Sequence, residues 1–183
     1  MRDSAVARLN RAAKEVHESN SQRADMNDKS DTSRRLIWHG VFLFLLGLLT
    51  GFIVMFLKNP RMGLSAHLEG VMNGTFLIAI GAVWPKVFLA PRAASFAFWL
   101  ALFGTYTNWA TVLLGAAWGT SQLSPIAGAG YSAMAWQEMT VNILLYSLSA
   151  AIVACCVIIL WGLRRKAIDR VLTQPGVGDK SRA

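Results

Sequence analysis

Charge is scarce in this chain where apolar residues are dense. Only 15% of its 183 residues are charged against 54% apolar, and between Arg34 and Arg165 the acidic side chains are Glu69 and Glu138 alone. A soluble domain needs a charged shell, so this shortage and a positive mean hydropathy of +0.40 place the chain among membrane proteins. Cysteine is nearly missing too. Cys155 and Cys156 are neighbours inside an apolar run, cannot close an ordinary disulfide with each other, and read as packing residues. No second His or Cys stands at ligand spacing, which disfavours a zinc-type centre. Stacking and groove-reading motifs are lacking, so the net charge of +8, carried mainly by the tails, suits an anionic membrane surface at least as well as nucleic acid. There is no early, short apolar run of the kind a cleavable signal needs, and no internal repeat.

Present instead are four apolar runs long enough to cross a bilayer as helices: Leu36 to Leu57, Ala66 to Leu89, Ala94 to Ala117, and Ala133 to Leu163. The stretches between them, Lys58 to Gly63, Ala90 to Ser95 and Trp118 to Ser132, are rich in turn residues. The expected fold is an all-α integral membrane protein, a four-transmembrane-helix bundle over 34–165 with a polar tail over 1–33 and a basic tail over 166–183. Arg34, Arg35, Lys86, Arg92 and Arg164 to Lys166 mark one side of the membrane, and the third connection has no cation. Both termini are therefore expected in the cytoplasm. Lys58 and Arg61 in the first connection weaken that orientation without reversing it. The polar run Ser19 to Ser33 is expected to be largely disordered. Upstream of it Val6, Leu9, Ala13 and Val16 recur at helical spacing opposite Arg8, Arg11 and Lys14, which permits a basic amphipathic surface helix beside the reading as a solvated tail.

Ionisable and amide groups in hydrocarbon are costly unless paired or ligated, so each one inside these runs is a candidate functional residue. In the second run His67, Gly70, Asn73, Gly74 and Leu77 fall on one helical stripe. In the fourth, Glu138, Asn142, Tyr146 and Ser149 align, and the third carries Thr105 to Asn108. With the topology above, these groups are expected to converge in the outer half of the bundle. Each has a plainer reading: Gly70 and Gly74 as a packing notch, Asn73, Asn108 and Asn142 as interhelical hydrogen-bond glue. Glu69 should lie on the far side of its helix from His67, reaching interfacial water or pairing with Arg61. His39 lies near the cytoplasmic end of the first helix and His67 near the opposite face, most of a membrane apart at about 1.5 Å per residue. Two histidines so placed cannot hold one iron from both sides, whereas a haem on a single histidine with an open position stays possible.

The segments His39 to Gly51, Asn59 to Pro85 and Phe103 to Trp109 resemble the small four-helix membrane isomerases that include hydroxylaminobenzene mutase and, more distantly, styrene oxide isomerase. The likeness covers roughly Arg34 to Arg165, and NPRMGLSAHLEGVMNG is nearer the mutase. The styrene oxide isomerase branch binds haem b through one histidine at the position of His67, between subunits of a trimer, and uses ferric iron as a Lewis acid; its site asparagine corresponds to Asn73. That branch also carries an aspartate and a tyrosine along the third helix. Here the stretch reads FGTYTNWATV, without the aspartate and with Tyr106 shifted, which speaks against the epoxide reaction.

The resemblance therefore implies a haem-dependent mutase in a bacterial-type cytoplasmic membrane, a homotrimer that rearranges arylhydroxylamines to ortho-aminophenols. It implies His67 as axial ligand to haem b, with Gly70 and Gly74 giving a flat cofactor room, and Asn73 orienting the substrate. Tyr106 and Asn108 are candidates to bond the migrating oxygen, and Glu138 to move protons. The alternatives are an epoxide isomerase of the styrene oxide type, a small proton-coupled transporter built on Glu138 or Glu69, and a purely structural membrane subunit.

Overall fold

Apolar runs bounded by turn residues should become helices, and a computed structural model, describing the backbone of residues 2–173 and most side chains between 26 and 164, has four. They are α1 (Arg2–Ile53), α2 (Pro60–Val83), α3 (Pro91–Trp118) and α4 (Ala135–Thr173), with short 3-10 turns at Val54–Phe56 and Trp84–Lys86. No strand occurs among the described residues. Met26–Phe56, Pro60–Lys86 and Ala135–Arg164 are long and apolar enough to cross a membrane. With 28 residues α3 has the length as well, about 42 Å at helical rise, but its Thr105 to Asn108 stretch lowers its hydropathy.

Two helices start earlier than their apolar runs because proline fits the first helical position. Pro60 opens α2 behind Asn59, whose side-chain oxygen accepts the Met62 N–H at 3.1 Å. Pro91 opens α3. Gly119, at φ 73°, closes α3 in the left-handed conformation and returns its N–H to the Gly115 carbonyl.

The larger difference lies before residue 34. The sequence reading expects a largely disordered tail, yet α1 runs through it from Arg2. No Gly or Pro interrupts residues 1–39, and Ala, Arg, Lys, Glu and Gln are good helix formers, so the transmembrane part of α1 has nothing behind it to stop the helix. The expected apolar stripe of Val6, Leu9 and Ala13 lies outside the described side chains, and residues 174–183 of the expected C-terminal tail lie outside the described residues.

Each helix packs on its neighbours in sequence; α1 also touches α3, while α1 and α4 share little contact. The common core draws on all four through Leu36, Leu43, Leu77, Phe98, Cys155 and Ile159. Cys155 is buried and unpaired, as expected of a packing residue. The closest approach is between α1 and α2. A Cβ on Gly47 would stand 2.6–2.7 Å from the backbone of Val71 and Gly70, and one on Gly74 would stand 2.6 Å from the Phe44 nitrogen. Only glycine lets the two backbones lie this close, the small-residue packing of membrane helices.

The two ends of the bundle differ. At one, Ser33 Oγ donates to the Gly81 carbonyl at 2.6 Å, Lys29 and Arg35 cover the Phe88 and Phe98 rings, and Phe88 N–H donates to the Gly162 carbonyl. The cations near the starts of the first and third spans and the ends of the second and fourth thus gather together. At the other end Lys58 Nζ donates to the carbonyls of Trp118 (2.9 Å) and Ser132 (3.0 Å), the two ends of the α3–α4 connection. Asn59 Nδ2 reaches Ala127 O at 2.8 Å and Arg61 Nη1 reaches Ile126 O at 3.0 Å. The two cations that weigh against the topology are thus staples on loop carbonyls. Lys58→Ala is expected to cost about 1 kcal/mol, because water competes at this exposed site, and to speed limited proteolysis within 119–134.

Candidate active site

His67 sits on α2 facing α1. Its Nδ1 is 2.8 Å from the Gly47 carbonyl oxygen. A carbonyl can only accept, so Nδ1 carries a proton, and in the neutral ring the lone pair is on Nε2. Metal-ligating histidines are usually oriented in this way, one nitrogen tied to a backbone carbonyl and the other free for the metal. The ring lies over Gly51, where a Cβ would be 3.0 Å from Nδ1. Gly51 is exposed and His67 half-buried, so this stretch of the α1–α2 seam opens at the helix surface.

Two residues further along α2 the side chain turns to α3. Glu69 Oε2 accepts from Asn108 Nδ2 at 2.6 Å and from Asn73 Nδ2 at 3.2 Å. Asn73 is one helical turn beyond Glu69 on the same face and only 8% exposed. Beside this cluster Trp109 Nε1 donates to Thr50 Oγ1 (3.1 Å), and Thr50 donates to Leu46 O (2.8 Å), pinning α3 to α1 across Gly70.

The expected single stripe is therefore divided. His67, Gly70 and Gly74 face α1, whereas Asn73 joins Glu69 and Asn108 between α2 and α3. Gly70 and Gly74 are covered by Gly47 and Phe44 of α1, so their missing side chains serve helix packing rather than room for a cofactor. Glu69, expected at interfacial water or on Arg61, is the centre of the polar cluster. The signal was in the spacing: Glu69 and Asn73 stand four apart and meet on one helical face.

Other candidates are used elsewhere. Tyr106 OH lies 3.1 Å from His39 Nδ1 and 3.3 Å from the His39 carbonyl. His39 precedes Gly47 and Gly51, the level of the His67 ring, by eight to twelve residues, about 12–18 Å along α1. That is nearer than expected, yet too far for one iron. Glu138 is buried (4% exposed), and its two oxygens accept the N–H groups of Ser121 (2.9 Å) and Gln122 (3.2 Å). Asn142 donates to Gln122 Oε1 at 2.8 Å. These two residues hold the α3–α4 connection in place, and Tyr146 points outward. The expected convergence of three helices is thus a pair of sites plus a loop anchor.

No cluster of three or more His, Cys, Asp or Glu able to cage a metal occurs among the described residues. A cleft lined by Lys29, Arg35, Trp84, Phe88, Phe98 and Trp99 opens at the other end of the bundle and does not include His67.

The family model for styrene oxide isomerase matches residues 32–164. Hydroxylaminobenzene mutase HabB of Ectopseudomonas oleovorans is 45% identical over 152 residues, 82% of this chain and 93% of the relative. Hydroxylaminobenzene mutase HabA of the same organism is 44% identical over 127 residues, 69% of this chain and 94% of the relative. No solved structure matches the chain significantly. The matched region contains α2 and α3 whole, the apolar parts of α1 and α4, His67 and the Glu69 cluster, and relatives at this identity are mutases: the chain is an isomerase belonging to the styrene oxide isomerase family.

Proposed function

We propose that this chain is a haem-dependent membrane mutase that rearranges arylhydroxylamines such as hydroxylaminobenzene to ortho-aminophenols. The observation that carries the haem assignment is His67, whose Nδ1 is tied to Gly47 O while Nε2 has no hydrogen-bond partner among the described residues. That arrangement suits an iron-ligating histidine, and haem b would be held by His67 Nε2. When bound, haem supplies a Lewis-acidic ferric iron for the substrate oxygen. The substrate class follows the names of the two mutase relatives.

The rearrangement balances without added reductant or oxygen. The N–O bond breaks, a C–O bond forms at the ortho ring carbon, and the proton on that carbon is lost while nitrogen gains one. The chain's task is to hold a small arene in apolar surroundings, exclude water and orient the hydroxylamino group. Asn73 and Asn108 contribute through Glu69, to which both amides are bonded. Tyr106 is engaged by His39, and the oxygens of Glu138 by the loop, so neither is given a chemical step. The loop bonds of Glu138 also remove the main support for a proton-coupled transporter.

His67 and the Glu69 cluster belong to different faces of α2. The homotrimer is kept in this reading, and the exposed apolar residues of α1 and α4 leave surface for contact between copies or with lipid. The gathering of Arg34, Arg35, Lys86, Arg92 and Arg164 at one end favours cytoplasmic termini in a bacterial-type inner membrane. The family-model match favours the epoxide reaction as a second reading. Incubating purified, haem-loaded protein separately with hydroxylaminobenzene and with styrene oxide tests the two. Formation of 2-aminophenol is expected; conversion of the epoxide alone overturns the proposal.

Gly51→Ala probes the histidine without touching the substrate. Its Cβ would press on Nδ1 and strain the bond to Gly47 O. Haem occupancy after purification is expected to fall several-fold while the helical circular-dichroism signal stays unchanged.

A further inference from the structure

We infer that Glu69 selects the substrate, favouring molecules that present N–H or O–H donors over epoxides, which present only an acceptor. The inference rests on the mutase reading above and deepens it. Glu69 takes two N–H groups and gives none, acting toward its neighbours as a pure acceptor. Both amides that reach Glu69 land on Oε2, so Oε1 is left as an acceptor atom on a half-buried side chain. Glu69 forms no ion pair among the described residues. A carboxylate in a membrane span held only by neutral amides is costly, and such residues are kept for function rather than packing.

A hydroxylamino group offers two donors, N–H and O–H, and can satisfy Oε1. An epoxide oxygen has lone pairs only and would face another acceptor. A site built around a hydrogen-bonding group rejects the analogue lacking the partner far more strongly than an apolar pocket rejects a change of size. Asn73 and Asn108 fix the direction of the carboxylate, and both are positioning residues here.

Glu69→Gln gives a directional test. With Asn73 and Asn108 presenting N–H groups as they do here, the amide oxygen of Gln takes the place of Oε2. The Gln NH2 then stands where Oε1 stood and turns the acceptor into a donor. Competitive inhibition of hydroxylaminobenzene turnover is measured with aniline, which carries N–H donors, and N,N-dimethylaniline, which does not, in wild type and in Glu69→Gln. Membrane partition of each probe cancels in the comparison between proteins.

Wild type is expected to prefer aniline after correction for partition, and the ratio of inhibition constants is expected to move by roughly tenfold or more toward N,N-dimethylaniline in the variant. Styrene oxide should become the better inhibitor of the variant, and the KM for hydroxylaminobenzene should rise more than kcat falls. A folded variant with an unchanged ratio overturns the inference. If the variant does not fold, wild type alone decides: no preference for aniline overturns the inference and a clear preference supports it. Wild type that turns over no arylhydroxylamine overturns the proposed function and takes this inference with it, whereas turnover with an unmoved ratio overturns the selectivity alone.

Discussion

His67→Ala is expected to lose the Soret absorption and the mutase turnover together, leaving a folded, colourless membrane protein. The structure gives His67 one hydrogen bond, from Nδ1 to Gly47 O, and a half-buried position at the α1–α2 seam. Truncation therefore removes the proposed ligand atom and one part-buried bond to the Gly47 carbonyl, with a stability cost of about 1 kcal/mol. His39→Ala is the matched control. Its ring bonds Tyr106 some turns away along α1, so the pigment should survive. His67→Gly supplied with imidazole should regain part of the absorption, because the free base can occupy the vacated position. Full wild-type absorption in His67→Ala would contradict the ligand assignment, and turnover by wild type fully stripped of haem would contradict the cofactor.

Gly70→Val is expected to destabilise the fold more than any of the polar replacements. A side chain at Gly70 meets Gly47 of α1 on one side and Trp109 of α3 on the other, so no rotamer relieves the overlap. The Gly47 contact is backbone and can give way only by parting the helices. Overpacking typically costs about 1–3 kcal/mol and more where backbone must move, and parting α1 from α2 also threatens the His67–Gly47 bond. Loss of the folded detergent-solubilised protein, read as a collapse of the monodisperse chromatographic peak or a fall in Tm, is the expected outcome. A variant with wild-type Tm would contradict the close approach of α1 and α2.

Much of this architecture is legible in the sequence. The four helices follow from the apolar runs, while the true starts at Pro60 and Pro91 lie in stretches whose Pro and Gly read as turns until proline is placed at the first helical position. The His67 candidate follows from the cost of burying an imidazole in hydrocarbon. Helical spacing also separates Glu69 from His67, and the structure directs them to α3 and α1. Spacing does not tell which neighbour a face meets. Asn73 is linked to His67 only through Gly70 between them, whereas its spacing of four from Glu69 brings those two together on one face; what the sequence leaves open is that this face meets Asn108 of α3. The loop bonds of Glu138 are hidden for a different reason: its partners, Ser121 and Gln122, lie in an irregular connection whose path has no periodic signature. The continuation of α1 to Arg2 is masked by polarity, although the stretch holds no helix breaker.

The central claim is that the oxygen of the product is the oxygen of the substrate, moved within one molecule by a haem-bearing membrane site. It is tested most directly by giving purified wild-type protein hydroxylaminobenzene with an isotopically heavy oxygen, in ordinary water, and weighing the product by mass spectrometry. Heavy-labelled 2-aminophenol, formed by the pigmented protein and missing with His67→Ala, is the expected result. A product carrying oxygen from water, or equal yield from the His67→Ala variant, would contradict it.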